Sequence, residues 1–227
     1  MPEQAAIFDM DGLLVDSEPL WHLAEVEIFG ALGVPLLRAQ TRSTKGMFVE
    51  EVVQYWFDRY PWSGPSVSDV VAQVLLRVQQ LILERGVMLP GAREAVEAMA
   101  QRGPIALASS TPRPLIEVVL DHIGLRDFFP VICSAQDEAY GKPHPAVFLT
   151  AAQQLEIAPE RCCVFEDSPA GILAAKAARM VCVAVPEPSD RDLNEVRIAD
   201  IVLDSLREFT PDLLAPFFEP NGTAAAE

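Results

Sequence analysis

Positive charge is scarce in this chain: 17 Lys and Arg stand against 33 Asp and Glu, giving a formal charge of -16 and a pI near 4.5. That balance argues against non-specific binding to nucleic acid or to anionic membrane surfaces, both of which require basic patches. It also sets a condition. An anionic substrate would approach against the global field, so a metal or basic residues in the site must overcome that field locally. Long apolar runs are missing as well, and none reaches the length of a membrane span. The N-terminus opens on Pro2 and Glu3 without a basic segment leading into an apolar stretch, so a soluble, cytoplasmic protein is expected, and nothing in the pattern demands an oligomer over a monomer. The four cysteines, Cys133, Cys162, Cys163 and Cys182, form no C-x-x-C pair and fall in apolar runs that read as strands. Buried free thiols, rather than a metal or redox centre, are the expectation. Repeats and low-complexity segments are absent before the tail, and with 50% hydrophobic residues the 227-residue chain can bury a sizeable core in one or two domains.

What is present begins with residues 8–18, F-D-M-D-G-L-L-V-D-S-E. Asp9 and Asp11 directly follow the apolar run Ala5, Ala6, Ile7, Phe8, and Gly12 then permits a sharp backbone turn. If the run is a buried strand, the two acids stand at its carboxyl end, the edge at which open α/β sheets bind ligands. Strand alternation allows them to share a site, at a repulsive cost that a cation or a proton would relieve. Such a pair suits Mg2+, a nucleophile with an acid/base partner, or both, and a plain turn with solvated acids is the competing account.

From residue 17 to about residue 85 the periodicity is helical. Trp21, Ala24, Ile28, Ala31 and Leu32 mark one helix ending near Gly33, and a connecting stretch follows over 34–46. Val49, Val52, Val53, Trp56 and Phe57 mark a second helix, P-W-S-G-P from Pro61 breaks it, and 67–85 forms a third. After Gly91 strands and helices alternate: helix 92–102, strand 105–109, helix 114–123, strand 131–133, helix 146–155, strand 162–165, helix 170–178, strand 181–185 and a short strand 201–203. Strands spaced this way imply βαβ crossovers. The expected fold is therefore α/β, a Rossmann-like, doubly wound parallel sheet core from 1–15 and 87–227, with a small helical domain inserted over 16–86. The tail from Asn221 is expected to fray.

The strand ends repeat the pattern of polar residues at one edge. The strand at 105–109 runs into Ser109, Ser110 and Thr111 ahead of Pro112 and Pro114, where hydroxyls and free amides form an anion site or simply cap a helix. Lys142 is held in G-K-P-H-P, a rigid loop that fits a phosphate or carboxylate partner or a solvated lysine. The strand at 162–165 ends in Glu166 and Asp167. Acids, hydroxyls, a lysine and acids again on one edge form the inventory of a phosphoryl-transfer site.

D-M-D-G, A-S-S, G-K-P-H-P and E-D-S-P-A-G, in this order, resemble the motifs of the haloacid dehalogenase superfamily over nearly the whole chain, with a helical cap inserted after the first motif. Within that family the opening residues are similar to bacterial sugar-phosphate phosphatases of the 2-deoxyglucose-6-phosphatase and hexitol phosphatase group, with β-phosphoglucomutases as neighbours. The resemblance implies Asp9 as nucleophile and Asp11 as general acid and base. It implies Mg2+ on the Asp9 carboxylate, the Asp11 carbonyl and Asp167, with Glu166 as ligand or outer support. Ser109 and the Ser110 amide would hold phosphate oxygens, and Lys142 would pair with nucleophile and phosphate. The substrate would be a small phosphorylated sugar or polyol. Met47, Phe48 and Val49 follow Gly46 where mutases tend to carry an arginine, which weakens a phosphomutase reading. Asp11 argues against a dehalogenase, and Lys45 is the cap lysine a phosphonatase would need. Trp21 is a candidate to face a sugar ring or to pack the cap, His122 to complement a helix dipole, and His144 to lie in a loop. A non-catalytic phosphometabolite-binding protein on the same fold is the reading from another class.

Overall fold

The computed structural model describes residues 4–36 and 47–218; Lys45 and the tail from Asn221 lie outside them. Six strands, β1 (Ala5–Phe8), β2 (Ile105–Ser109), β3 (Val131–Ser134), β4 (Cys162–Glu166), β5 (Val181–Ala184) and β6 (Ile201–Val202), form one sheet in the order β3-β2-β1-β4-β5-β6. Every pairing is parallel, and β1 lies in the centre between β2 and β4. The chain builds outward from β1 on one side and then on the other, so the switch in strand order falls between β1 and β4. Ligands bind at the carboxyl ends beside such a switch.

The two faces of the sheet carry different side chains. Phe8, Leu107, Ile132, Phe165 and Val183 face helices α4 (Ala92–Ala100) and α5 (Arg113–Ile123). Ala106, Ala108, Cys133, Val164, Cys182 and Ala184 face helices α6 (Ala146–Gln154) and α7 (Pro169–Ala177). Strands sandwiched in this way read as continuous apolar runs, which is why the sequence pattern locates them. Small residues on the second face let the alanine-rich α6 and α7 sit close to the sheet. The rings of Phe8 and Phe165 stack at 4.3 Å, and Phe165 meets Phe209 edge-on at 4.8 Å, so a packed aromatic column underlies the two central strand ends. All four cysteines are free and buried, as expected. Burial pushes the Cys133 thiol up to about 11 and Cys162 to about 12, leaving them un-ionised at neutral pH.

Between β1 and α4 lie three helices, α1 (Glu18–Ala31), α2 (Val49–Arg59) and α3 (Val67–Arg85), with no strand among the described residues. Ser66 starts α3 with a capping box: its hydroxyl accepts from the Asp69 amide at 3.2 Å while the Asp69 carboxylate accepts from the Ser66 amide at 3.0 Å. Val70, Val74, Val78 and Leu81 on α3 are buried with Ala24 and Phe29 on α1 and Val52 and Val53 on α2. The outgoing and returning segments pair with each other, the Asp16 amide donating to the Val87 carbonyl and the Leu89 amide to the Leu14 carbonyl, each at 2.9 Å. His122, at the end of α5, reaches across to the Gly86 carbonyl at 3.0 Å, so it ties the sheet's helix layer to the end of α3 and does more than complement a dipole. Two further contacts bridge the insertion to the strand-end loops: Gln136 donates to the Glu50 carboxylate at 2.8 Å, and the Phe48 ring lies so close to Gly141 that a Cβ there would collide with it. A final short helix, α8 (Ala215–Phe218), closes the described chain. No helix among the described residues is long and apolar enough to cross a membrane.

Candidate active site

The backbone turn after β1 sets the site. Gly12 adopts φ +73°, and its amide donates to the Val15 carbonyl at 3.0 Å, closing a loop that projects Asp9 and Asp11 in different directions. A Cβ on Gly12 would strike the Asp167 carboxylate, so the first and last motifs meet where only glycine fits.

Asp9 points inward. Its Oδ1 accepts from Lys142 Nζ at 2.6 Å, and the same ammonium donates to Glu166 Oε1 at 2.5 Å and to the Ala108 carbonyl at 3.3 Å. Glu166 is wholly buried and its second oxygen is also engaged, accepting from the Ser168 amide at 2.8 Å and the Ser168 hydroxyl at 2.9 Å. Lys142 reaches this position from the loop before α6, across a cis Lys142–Pro143 peptide, with its ammonium over the Phe148 ring at 4.9 Å. A solvated loop lysine is thereby ruled out.

Carboxylate oxygens of Asp9, Glu166 and Asp167, all buried, lie within 4.8 Å of one another. Burial drives the Asp9 carboxyl well above the ordinary carboxylate range; Lys142 pulls it back, and Glu166, Asp167 and Asp11 push it further up. Burial alone would lower the Lys142 ammonium, but Asp9 and Glu166 together outweigh it and hold the group charged above its ordinary value. Three buried carboxyl groups crowded this closely repel one another when ionised, a cost that a bound cation relieves. Hard anionic oxygens in that number fit a small divalent cation such as Mg2+.

Asp11 turns away from this cluster and is held by four donors. Its Oδ1 accepts from the Ser17 hydroxyl at 2.6 Å and the Trp21 indole at 3.1 Å, and its Oδ2 from the Thr111 hydroxyl at 2.7 Å and, more weakly, the Ser109 hydroxyl at 3.4 Å. The carboxylates of Asp9 and Asp11 thus have separate hydrogen-bond partners although both line one cavity. Ser17 and Thr111 hydroxyls can rotate to donate or accept, so they can serve Asp11 in either protonation state, whereas the indole N–H only donates. The side chains of Ser17, Thr111 and Trp21 come from the start of the insertion and from the loop after β2. Reading by motif alone named Thr111 only among the hydroxyls of an anion site or helix cap, gave Ser17 no role and assigned Trp21 to a sugar face or to packing; the only trace in sequence of their bonds to Asp11 is that both hydroxyls adjoin the motifs.

Ser109 and Ser110 line the same cavity as Asp9, Asp11, Lys142 and Asp167, while Glu166 lies behind Lys142. The α5 N-cap is Pro112 without a side-chain capping bond, so helix capping is not what Ser109–Thr111 do. His144 is a loop residue whose ring nitrogen accepts from the Ala146 amide at 3.3 Å. The cavity, about 220 Å3, is roofed by Trp21, His22 and Glu25 of α1 and by Met47, Val49 and Val52. Among the described residues Lys142 is the sole lysine or arginine lining it.

Comparison with known proteins agrees with this geometry. A family model described as haloacid dehalogenase-like hydrolase matches residues 3–179. Hexitol phosphatase B of Escherichia coli K12 is 44% identical over 213 residues, covering 92% of this chain and 96% of that protein. In structure, CbbY from Rhodobacter sphaeroides, solved in complex with phosphate, superposes with a TM-score of 0.81 at 30% identity, over 91% of this chain and 96% of that one. β-Phosphoglucomutase from Clostridium difficile superposes with a TM-score of 0.82 at 25% identity, over 95% and 96%. With the four motifs converging on one cavity and a match spanning most of its length, the chain belongs to the haloacid dehalogenase-like hydrolase family and is one of its phosphoric monoester hydrolases.

Proposed function

We propose that the protein is a Mg2+-dependent phosphatase of small sugar or polyol phosphates that works through an aspartyl-phosphate intermediate. One observation carries the reading: Asp9, clamped by Lys142 beside Glu166 and Asp167, and Asp11, held by its own hydroxyl and indole donors, line a single cavity. The oxygen-rich cluster suits Mg2+, with Asp9, the Asp11 carbonyl and Asp167 as its holders. Glu166, whose two oxygens are engaged by Lys142 and Ser168, supports from outside. When bound, the cation supplies charge neutralisation to the phosphoryl oxygens.

In the first step an Asp9 oxygen attacks phosphorus and the phosphorus–oxygen bond to the sugar breaks, while Asp11 gives its proton to the departing oxygen. In the second, Asp11 takes a proton from water as that water attacks phosphorus. The bond to Asp9 then breaks, releasing inorganic phosphate and restoring both aspartates. Lys142 keeps Asp9 oriented and offsets charge on the transferred group, and Ser109 with the Ser110 amide holds phosphoryl oxygens. Residues 1–15 and 87–227 form the catalytic core, and 16–86 form a cap that closes over the ester, excludes bulk water and sets selectivity. The lack of a distal lysine or arginine among the described lining residues favours hydrolysis over a mutase cycle, which must grip a second phosphate.

The test is phosphate release from a panel of sugar and polyol phosphates, with and without Mg2+, for the wild type and Asp9→Asn. Release that needs Mg2+ and falls by a factor of roughly a thousand or more in Asp9→Asn is expected, since the nucleophile is lost. Undiminished release by Asp9→Asn, or none with Mg2+ on any ester, refutes the reading. Interconversion of β-glucose 1-phosphate and glucose 6-phosphate primed by a bisphosphate would assign a mutase instead.

A further inference from the structure

Glu25 has no place in the chemistry above, yet it lines the same cavity. It is 9% exposed, and its Oε2 is buried with no hydrogen-bond partner among the described residues. The same cavity also has apolar lining, from Met47, Val49 and Val52. Burying an unsatisfied carboxyl oxygen forfeits its hydration, so native proteins seldom retain one without a use. The described residues around α1 offer that oxygen no partner, whereas a ligand filling the cavity would.

Its place along α1 says where on the ligand it would act. Trp21, one turn earlier, marks the Asp11 carboxylate through its indole bond. Glu25 follows at i+4 on the same helix face, a rise of about 6 Å away from Asp11. That separation is the reach of a short carbon chain extending from the ester oxygen. Burial pushes the Glu25 carboxyl up to about 8, so at neutral pH it is protonated and can both donate and accept.

We propose that Glu25 is a specificity-determining residue that reads a hydroxyl at the end of the substrate remote from the phosphate, exchanging hydrogen bonds with it as a neutral carboxyl. The proposal rests on reading the cavity as a polyol or sugar phosphate site. The family motifs do not reach this position, and neither Asp11 nor the carboxylate cluster depends on it.

The test compares a hexitol 6-phosphate with hexyl phosphate, an ester of equal length without hydroxyls, for the wild type, Glu25→Gln and Glu25→Met. Glu25→Met is expected to raise KM for the hexitol ester about tenfold, one neutral hydrogen bond's worth, with kcat within twofold. On hexyl phosphate its kcat/KM stays within twofold of the wild type. Glu25→Gln, which keeps a donor and an acceptor, remains within threefold of the wild type on both esters. Parallel losses on both esters in Glu25→Met, or Glu25→Gln failing as Glu25→Met does, mark Glu25 as structural and overturn the proposal. Should Glu25→Met not fold, the wild type decides together with Glu25→Gln: equal KM for the two esters overturns the proposal. Absence of Mg2+-dependent release from every ester defeats the underlying function, and this proposal with it; release with the wrong selectivity defeats this proposal alone.

Discussion

The indole N–H of Trp21 donates to the same Asp11 oxygen that takes the Ser17 hydroxyl, at 3.1 Å and 2.6 Å respectively. Both donors belong to the segment that leads from the first motif into α1, so the geometry of Asp11 is set by the entry to the insertion. Trp21 is a positioning residue on this account. Trp21→Phe removes the donor and keeps an aromatic body; a hydrogen bond to a charged group is worth about 1.5–3 kcal/mol, so kcat is expected to fall about tenfold or more. KM should stay within about threefold. Steady-state kinetics decide, and a raised KM with unchanged kcat would instead assign Trp21 to substrate packing.

Lys142 pairs with two of the three clustered carboxylates at once. Replacing it by methionine keeps an unbranched apolar side chain but strands Asp9 and Glu166 without their cation. Breaking a buried ion pair from one side costs about 3–5 kcal/mol, and kcat is expected to fall at least a hundredfold, as Asp9 loses its orienting partner. Thermal melts add a second readout. Millimolar Mg2+ is expected to raise Tm more in Lys142→Met than in the wild type, because the added cation replaces missing positive charge. No Mg2+ response in either protein would show that the cluster does not take the ion, and an equal rise in both would show that Lys142 does not tune its binding.

The sheet was legible because its strands are buried on both faces and so appear as short apolar runs between helices; the structure moves their ends by a residue or two at most, as at Glu166 and Ser134. The acids and the lysine were legible because each adjoins a strand end with its own turn chemistry. What the sequence could not carry is the set of partners around Asp11, which lie 6, 10 and 100 residues away on elements whose meeting is a property of the tertiary fold. The His122 bond to Gly86 is of the same kind. Glu25 was missed for a different reason: its spacing from Trp21, Ile28 and Leu32 already places it on the apolar face of α1, but an acid is ordinarily taken as solvated, and only the fold shows it buried.

Gly171 offers a test in which local propensity and tertiary contact disagree. It sits in the first turn of α7 with an ordinary helical backbone, where glycine to alanine normally stabilises by roughly 1 kcal/mol. A Cβ here, however, would fall on the Glu166 carboxyl, which Lys142 and Ser168 hold in place. Overpacking of this kind costs about 1–3 kcal/mol, so Gly171→Ala is expected to lower Tm by several degrees and to reduce kcat by displacing Lys142. A Tm equal to or above that of the wild type would mean that Glu166 can move aside freely.

Glu25 also gives a stability that depends on pH with a definite sign. Burial moves its carboxyl from 4.5 to about 8 in the folded protein, so between these values the native state holds a proton that the unfolded chain has released. Stability therefore falls as pH rises through that window, is unaffected below it and is lowest above it; the loss is bounded at about 5 kcal/mol. Glu25→Gln cannot ionise and escapes the loss. Asp9, Asp11, Glu18, His22, Lys142, Asp167, Glu187 and Asp190 share the cavity but are common to both proteins, so the difference between them isolates Glu25. Urea unfolding at pH 5 and pH 8.5 is expected to show the variant gaining on the wild type by several kcal/mol between the two conditions. A difference that does not change with pH would mean that Glu25 titrates as a solvated acid, and that the packing around it does not exclude water.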